Sequence, residues 1–120
     1  MINQPHVTLI EEWQECRPLG VRPDGALVVN LGGLLHELDI AGIELPEPPP
    51  AAYFALVDRL RGLSKPMRCR VTGRTETGRI RAEVLYFAWQ DKSGDVWISL
   101  SNTLIDQGLA RRIEVQTTAP

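Results

Sequence analysis

The strand-forming segments on either side of a Gly-Gly pair constrain the fold of this chain more than any other feature. The run ALVVNL ends at Gly32-Gly33, and LLHELDIAGI follows directly. Two such runs joined by two glycines favour a β-hairpin, because both central residues of a tight turn can then adopt positive φ. The proline-rich stretch from Pro46 to Pro50 ends this pattern, since proline fixes φ and donates no ladder hydrogen bond. The first half of the chain therefore predicts antiparallel strands.

Beyond the prolines the apolar pattern changes from that of strands to that of a helix. Apolar side chains in AAYFALVDRLRGL recur at helical spacing, which predicts an amphipathic helix ending near Gly62 to Ser64. The stripe comprises Tyr53, Leu56, Val57, Leu60 and Leu63. A short second helix is expected in SNTLIDQGLARR, with Ser101 as its N-cap and Gly108 as its C-terminal stop.

Two further segments have the pattern of strands. MRCRV alternates between apolar and basic residues, which predicts a half-buried strand with Arg68 and Arg70 on its outer face and Val71 on its inner face. RAEVLYFAWQ is apolar on both faces, so we expect cover on both sides from a helix, from the N-terminal arm or from a partner. The candidates for partner binding in this run are Phe87 and Trp89.

The order of these elements predicts a mostly β domain with helices, of the α+β class. Three strands, a helix, two or three strands and a short helix pack most economically as a five-stranded Greek-key barrel, the OB-fold, with the first helix between strands 3 and 4. We expect one domain at residues 13–113, an N-terminal arm at residues 1–12 and a flexible tail at residues 114–120. The first strand starts at Trp13, and we expect an interruption at Pro18 and Gly20.

Charge is distributed unevenly along the chain, although the net charge is only −2. Residues 1–58 carry nine acids and two arginines, whereas residues 59–81 carry eight bases and one glutamate. This balance argues against binding of polyanions over the whole surface but allows one basic face. The candidate residues for single-stranded DNA or RNA are Arg68, Arg70, Arg74, Arg79 and Arg81.

Membrane and zinc chemistry are disfavoured by the composition. No apolar run approaches the roughly 18 residues that span a bilayer, and the first residues lack the basic and apolar pattern of a leader, so we expect a cytoplasmic protein without a membrane partner. Cys16 and Cys69 form no CxxC motif and both histidines are isolated, which disfavours zinc and predicts two buried thiols.

Four short motifs follow one another along the chain. They are Asp24-Gly25-Ala26-Leu27, DIAGIELPE from Asp39 to Glu47, Thr77-Gly78-Arg79, and LIDQGLA from Leu104 to Ala110. This series resembles the micrococcal, or thermonuclease-like, nuclease family over roughly residues 13–113. The resemblance implies an OB-fold. The long last helix of that family is expected to be missing, since only about ten residues follow Ala110.

The resemblance also implies calcium-dependent phosphodiester cleavage, with two carboxylates on the metal ion, a glutamate that orients the attacking water and two arginines that neutralise the phosphate. Glu47 matches the water-orienting glutamate, Arg79 matches the second arginine, and Glu44 takes the place of one aspartate ligand. Ala26 replaces the other ligand, and Asp39 replaces the first arginine. We therefore expect a degenerate active site, with Glu47 and Arg79 as catalytic remnants and Glu44 as the remaining metal-ligand candidate.

Three functions follow from these observations. The first is a catalytically inactive binding or assembly module, whose ligand is a protein partner or single-stranded nucleic acid and which needs no cofactor. The second is an active metal-dependent nuclease with a non-standard site at Glu44, Glu47 and Arg79, which requires calcium. The third is a purely structural subunit of a larger assembly. The sequence leaves the oligomeric state open.

Overall fold

The computed structural model describes residues 13–113, so the arm predicted for residues 1–12 and the tail predicted for residues 114–120 lie outside the described range. Eight strands and two helices occupy that range. In chain order they are β1 (Trp13–Val21), β2 (Leu27–Leu31), β3 (Leu34–Ile40), β4 (Ile43–Glu44), α1 (Ala51–Arg61), β5 (Met67–Arg74), β6 (Ile80–Asp91), β7 (Gly94–Ser99), α2 (Leu100–Asp106) and β8 (Arg111–Arg112).

The strands pair into a six-stranded sheet and a small sheet of β4 and β8. One antiparallel meander comprises β1, β2 and β3, and a second comprises β5, β6 and β7. The meanders meet twice, because β1 pairs antiparallel with β5 and β3 pairs parallel with the start of β6. The pairings therefore lead from β1 through β2, β3, β6 and β5 back to β1. The predicted mostly β, α+β class with two helices is confirmed.

The hairpin predicted at the Gly-Gly pair is confirmed. Leu31 pairs with Leu34 across the turn, and both Gly32 and Gly33 have positive φ, +65° and +88°. The interruption predicted at Pro18 and Gly20 is wrong, because β1 runs continuously through them.

That segment instead holds a shift in register between β1 and β2, which accommodates the residues that pair poorly in a strand. A second shift lies in β5 between Val71 and Gly73. Val71 lies where this shift begins and is 39% exposed, so its predicted inward position is wrong.

Helix α1 begins directly after Pro50 and ends at Gly62, whose N–H bonds to the Arg59 carbonyl. Its apolar stripe packs into the core as predicted. The proline at the N-cap determines where the helix starts, and the 3.6-residue spacing of the apolar side chains determines which face packs inward. The buried residues of the helix are Tyr53, Leu56, Val57 and Leu60.

Helix α2 begins two residues earlier than the sequence predicts. Its N-cap is Ser99, whose hydroxyl accepts a hydrogen bond from the N–H of Asn102 at 3.3 Å, so the assignment of Ser101 as N-cap is wrong. The end of the helix is as predicted: Gly108 has a φ of +74° just after the C-cap. Of the two helices in residues 13–113, neither is long and apolar enough to cross a membrane.

The core lies between the sheet and the two helices. It holds Leu27, Leu38, Met67 and Leu100, each at most 1% exposed. Both cysteines are buried there on the neighbouring strands β1 and β5, as predicted. The hydrogen bond with Cys69, together with burial, raises the pKa of the Cys16 thiol, so it stays protonated and unreactive at neutral pH.

Candidate functional site

Three of the four motifs that carry the resemblance line one open groove, and the Thr77-Gly78-Arg79 motif does not. The groove has a volume of about 1040 Å³ and is lined by the turn after β1, the end of β3, β4, the proline stretch and the segment after α2. Four of its lining residues are acids and two are arginines. They are Asp24, Asp39, Glu44, Glu47, Arg81 and Arg111. Residues far apart in the sequence therefore share one surface.

The turn that carries Asp24 is held by a buried hydrogen bond. The hydroxyl of Tyr53 donates to the carbonyl oxygen of Gly25 at 2.5 Å, and Tyr53 is fully buried. Burial raises the pKa of the Tyr53 phenol, and the carboxylates of Asp39 and Asp24 add to this effect, so the hydroxyl keeps its proton and remains a donor. Helix α1 thereby fixes the position of the Asp24 turn relative to the core.

Arg79 lies among three carboxylates, which we call the Arg79 cluster. Its Nη2 is 2.8 Å from Oδ2 of Asp24, its Nε is 2.9 Å from Oε1 of Glu37, and its Nη1 is 3.6 Å from Oδ1 of Asp39. Arg22 extends the cluster, because its Nε lies 3.4 Å from Oε2 of Glu37. The guanidinium, the candidate phosphate-binding group, is thus already surrounded by the chain's own negative charges.

The charges in the Arg79 cluster stabilise one another. The pKa of the Asp24 carboxyl is held below its usual value, first by the N–H of Ala26, which lies 3.2 Å from Oδ1, and then by Arg79. In turn, the carboxylates of Asp24 and Glu37 raise the pKa of Arg79. Both partners stay ionised over the physiological pH range. Nε and Nη2 of Arg79 therefore lie at hydrogen-bond distance from protein carboxylates, and Nη1 makes a longer contact with Asp39.

Glu44, the predicted metal-ligand candidate, is engaged in a different ion pair. Arg111 donates from Nε to its Oε1 at 2.8 Å, and Nη2 contacts the same oxygen. This pair joins β4 to β8, where Glu44 is opposite Arg111 in the strand register. Glu47, the predicted water-orienting glutamate, is exposed and lines the groove, whereas Arg79 is not among the lining residues.

The donor groups of the groove do not fit calcium, which prefers six to eight oxygen ligands with negative charge. Ala26 offers no side-chain oxygen, Arg111 holds Glu44, and Arg79 holds Asp24 and Asp39. Among residues 13–113, no group of three or more His, Cys, Asp and Glu side chains is arranged to hold a metal ion.

The five arginines proposed for nucleic-acid binding occupy four different surroundings. Arg68 and Arg70 project from β5, Arg79 belongs to its cluster, and Arg81 is exposed at the groove. Arg74 is exposed near the β5–β6 turn, where its Nη1 donates to the carbonyl of Gly78 at 3.3 Å. The structure therefore does not join the five into one continuous basic track.

Arg68 and Arg70 each cover an aromatic ring. The guanidinium of Arg68 lies 4.3 Å from the ring centre of Trp97, and that of Arg70 lies 5.0 Å from the ring centre of Trp13. Arg70 also donates from Nε to Oε1 of Glu83 at 2.8 Å. The two arginines expected to give this outer face its positive charge are thus in contact with aromatic rings, and one of them also pairs with a carboxylate.

The partner-binding candidates Phe87 and Trp89 lie on opposite sides of the β6–β7 hairpin. Phe87 packs edge-on against Trp97, with ring centres 5.8 Å apart, and Nζ of Lys65 lies 5.1 Å from the Phe87 ring centre. Trp89 follows a register shift in β6, pairs with Val96 and is 52% exposed. We use the name aromatic face for the outer surface of β1, β5, β6 and β7 together with Lys65 from the connection between α1 and β5. It comprises Trp13, Lys65, Arg68, Arg70, Phe87 and Trp97.

Sequence reasoning missed two residues that form ion pairs with the candidate site residues. Glu37 binds Arg79, and the alternation of β3 carried the signal, because residues two apart in a strand share a face and Glu37 therefore lies beside Asp39. Arg111 neutralises Glu44 from 67 residues away, and no local pattern marks it. Both residues supply charges that the resemblance does not include.

The sequence matches no family model. A comparison with curated proteins also gives no significant match. The resemblance to thermonuclease-like nucleases thus rests on the motifs and on the position that the fold gives them.

Proposed function

We propose that this chain is a catalytically inactive OB-fold module of the thermonuclease-like type that acts in binding or assembly through a protein partner. The OB-fold is supported by the strand pairings, which lead from β1 through β2, β3, β6 and β5 back to β1, with β3 and β6 parallel. Helix α1 lies between the third strand and β5, at the place expected for that fold.

The absence of catalysis is supported above all by the Arg79 cluster. A phosphate-binding arginine accelerates cleavage by stabilising negative charge that develops in the transition state. Here the guanidinium of Arg79 already faces Asp24, Glu37 and Asp39, so a phosphate competes with three carboxylates for the same donors. Asp39 also places a negative charge where the resemblance requires an arginine. Loss of one such electrostatic group lowers a rate by roughly 100-fold to 1000-fold.

A protein partner is better supported than single-stranded nucleic acid. Arg68 and Arg70 cover tryptophan rings, Arg70 also pairs with Glu83, and the other three arginines lie apart from them. Nucleic acid needs a continuous cationic groove with open aromatic faces. Tryptophan, phenylalanine and arginine beside one another are in contrast the residues that dominate protein interfaces.

Nuclease activity is the direct test of this proposal. We expect the protein with calcium to release no more fragments from single-stranded DNA or RNA than the Glu47→Ala variant does, because the groups that would bind metal and phosphate are neutralised. Cleavage is measured on labelled oligonucleotides, with and without a calcium chelator. Calcium-dependent cleavage by the native chain that disappears in Glu47→Ala would refute the proposal and support a working nuclease with a non-standard site.

A further inference from the structure

Strand β7 forms an edge of the six-stranded sheet. Its inner side pairs with β6, and no other strand within residues 13–113 pairs with its outer side. All six of its residues are half-buried. The β6–β7 hairpin carries apolar side chains on both faces, with Phe87 and Trp97 on one face and Trp89 and Val96 on the other. Main-chain donors and acceptors along this edge are therefore flanked by apolar groups.

The β7 edge lacks the features with which proteins discourage pairing between sheet edges. Such edges are normally protected by lysine, by proline or by a very short strand. The sequence GDVWIS contains neither proline nor lysine, and its single charged residue is Asp95, which pairs with Lys65. The edge is therefore suited to accept a further strand.

The aromatic face beside this edge is balanced in charge. Three bases and three acids lie on or next to it. The bases are Lys65, Arg68 and Arg70, and the acids are Glu15, Glu83 and Asp95. Each of these bases lies beside an acid: Lys65 pairs with Asp95, Arg70 pairs with Glu83, and Arg68 is opposite Glu15 in the strand register. Charges that are already paired within the face disfavour a polyanion and also a strongly basic or acidic peptide. A balanced mosaic is complementary to itself, as an interface between two identical chains requires.

We infer that the partner in assembly is a second copy of this chain, joined through antiparallel pairing of the two β7 strands into one continuous sheet. This inference rests on the proposed function and names its partner. A two-fold axis at Val96 places Asp95 opposite Trp97 of the second copy, and an axis at Trp97 places it opposite Ser99. In both registers the two Asp95 residues are not opposite each other, so the one charged residue of the strand does not oppose pairing.

Sedimentation of the full chain between low and high micromolar concentration tests the inference. We expect a reversible monomer–dimer equilibrium. Val96→Lys should weaken dimerisation by about tenfold or more, because it brings two like charges together beside the axis. Val28→Lys is the matched control: Val28 is also a half-buried valine, but it lies on β2, whose two sides are both paired, so dimerisation should persist.

Hydrogen exchange of the native chain gives a second readout that needs no variant. The β7 amides should exchange more slowly as concentration rises, while those of β2 should not change. A chain that stays monomeric, exchange of β7 that is independent of concentration, or a dimer that survives Val96→Lys would each overturn the inference. Binding of a single-stranded oligonucleotide by a monomer would do the same. Calcium-dependent cleavage would instead overturn the proposed function, so the two failures are distinguishable.

Discussion

The Arg79→Ala variant is expected to lose about 2 kcal/mol of stability at neutral pH, because it leaves three carboxylates without their shared cation. The side chain of Arg79 is only 23% exposed, which limits the compensation that water can offer. Equilibrium unfolding in urea measures the loss. Arg74→Ala is the matched control, since Arg74 is exposed and bonds only to the carbonyl of Gly78, and it should change stability by no more than about 0.5 kcal/mol.

The pH dependence distinguishes charge from packing in this variant. In the native chain the folded-state pKa of Asp24 lies below its unfolded value, so its contribution is fully present above the unfolded pKa and is lost as pH falls through the folded pKa. In Arg79→Ala the neighbouring carboxylates repel one another instead, and protonation relieves them. The difference between the two proteins should therefore shrink mainly below about pH 4, as the pH falls through the unfolded pKa of Asp24 towards its lower folded value. An unchanged difference would mean that the lost interaction is packing.

The same variant tests whether Arg79 occupies the place of a cation. Once the guanidinium is removed, Asp24, Glu37 and Asp39 face a common space. We expect calcium to raise the melting temperature of Arg79→Ala with an affinity of about 10⁻⁴–10⁻³ M, and to leave the native chain unchanged. Addition of Asp39→Asn to Arg79→Ala should remove this response and recover part of the stability. Stabilisation of the native chain by calcium would contradict the role given to Arg79.

Local patterns in the sequence predict the elements of this fold well, because each pattern reports a physical constraint within a few residues. The Gly32-Gly33 turn, the stripe of α1 and the alternating start of β5 all have this character. The continuity of β1 through Pro18 was missed for a non-local reason. Pairing with β2 holds this part of the strand in place despite two residues with poor strand propensity, while β5 pairs only with its first residues.

The state of the candidate site depends on contacts that no local pattern encodes. Glu44 and Glu47 line the groove and Arg79 contacts two of its lining acids, Asp24 and Asp39, but the chemistry of all three depends on their partners. Arg79 reaches Glu37 across 42 residues, and Glu44 reaches Arg111 across 67. Since charge neutralisation depends on spatial neighbours, the motif residues alone do not show that the groove is already occupied by internal ion pairs.

Gly25→Ala is expected to cost about 3 kcal/mol of stability. Gly25 has a φ of +102°, a conformation that costs an L-residue roughly 1–2 kcal/mol. A Cβ there would also lie 2.5 Å from Cδ1 of Leu45 and 3.2 Å from Cγ of Pro49, which adds about 1–3 kcal/mol for overpacking. The strain would displace the carbonyl that accepts the hydrogen bond from Tyr53 and, with it, the turn that presents Asp24 to Arg79.

Two companion variants separate the parts of this cost. Gly33→Ala introduces the same methyl group at a φ of +88° with no other atom within 4 Å, so its loss of stability measures the backbone term alone and should be the smaller one. Leu45→Ala in combination with Gly25→Ala removes the closest contact, and the double variant should be less destabilised than the sum of the two single changes. Equal losses for Gly25→Ala and Gly33→Ala would show that Leu45 and Pro49 move aside freely. The turn would then not be fixed by packing, and Asp24 would owe its position to Arg79 rather than to the core.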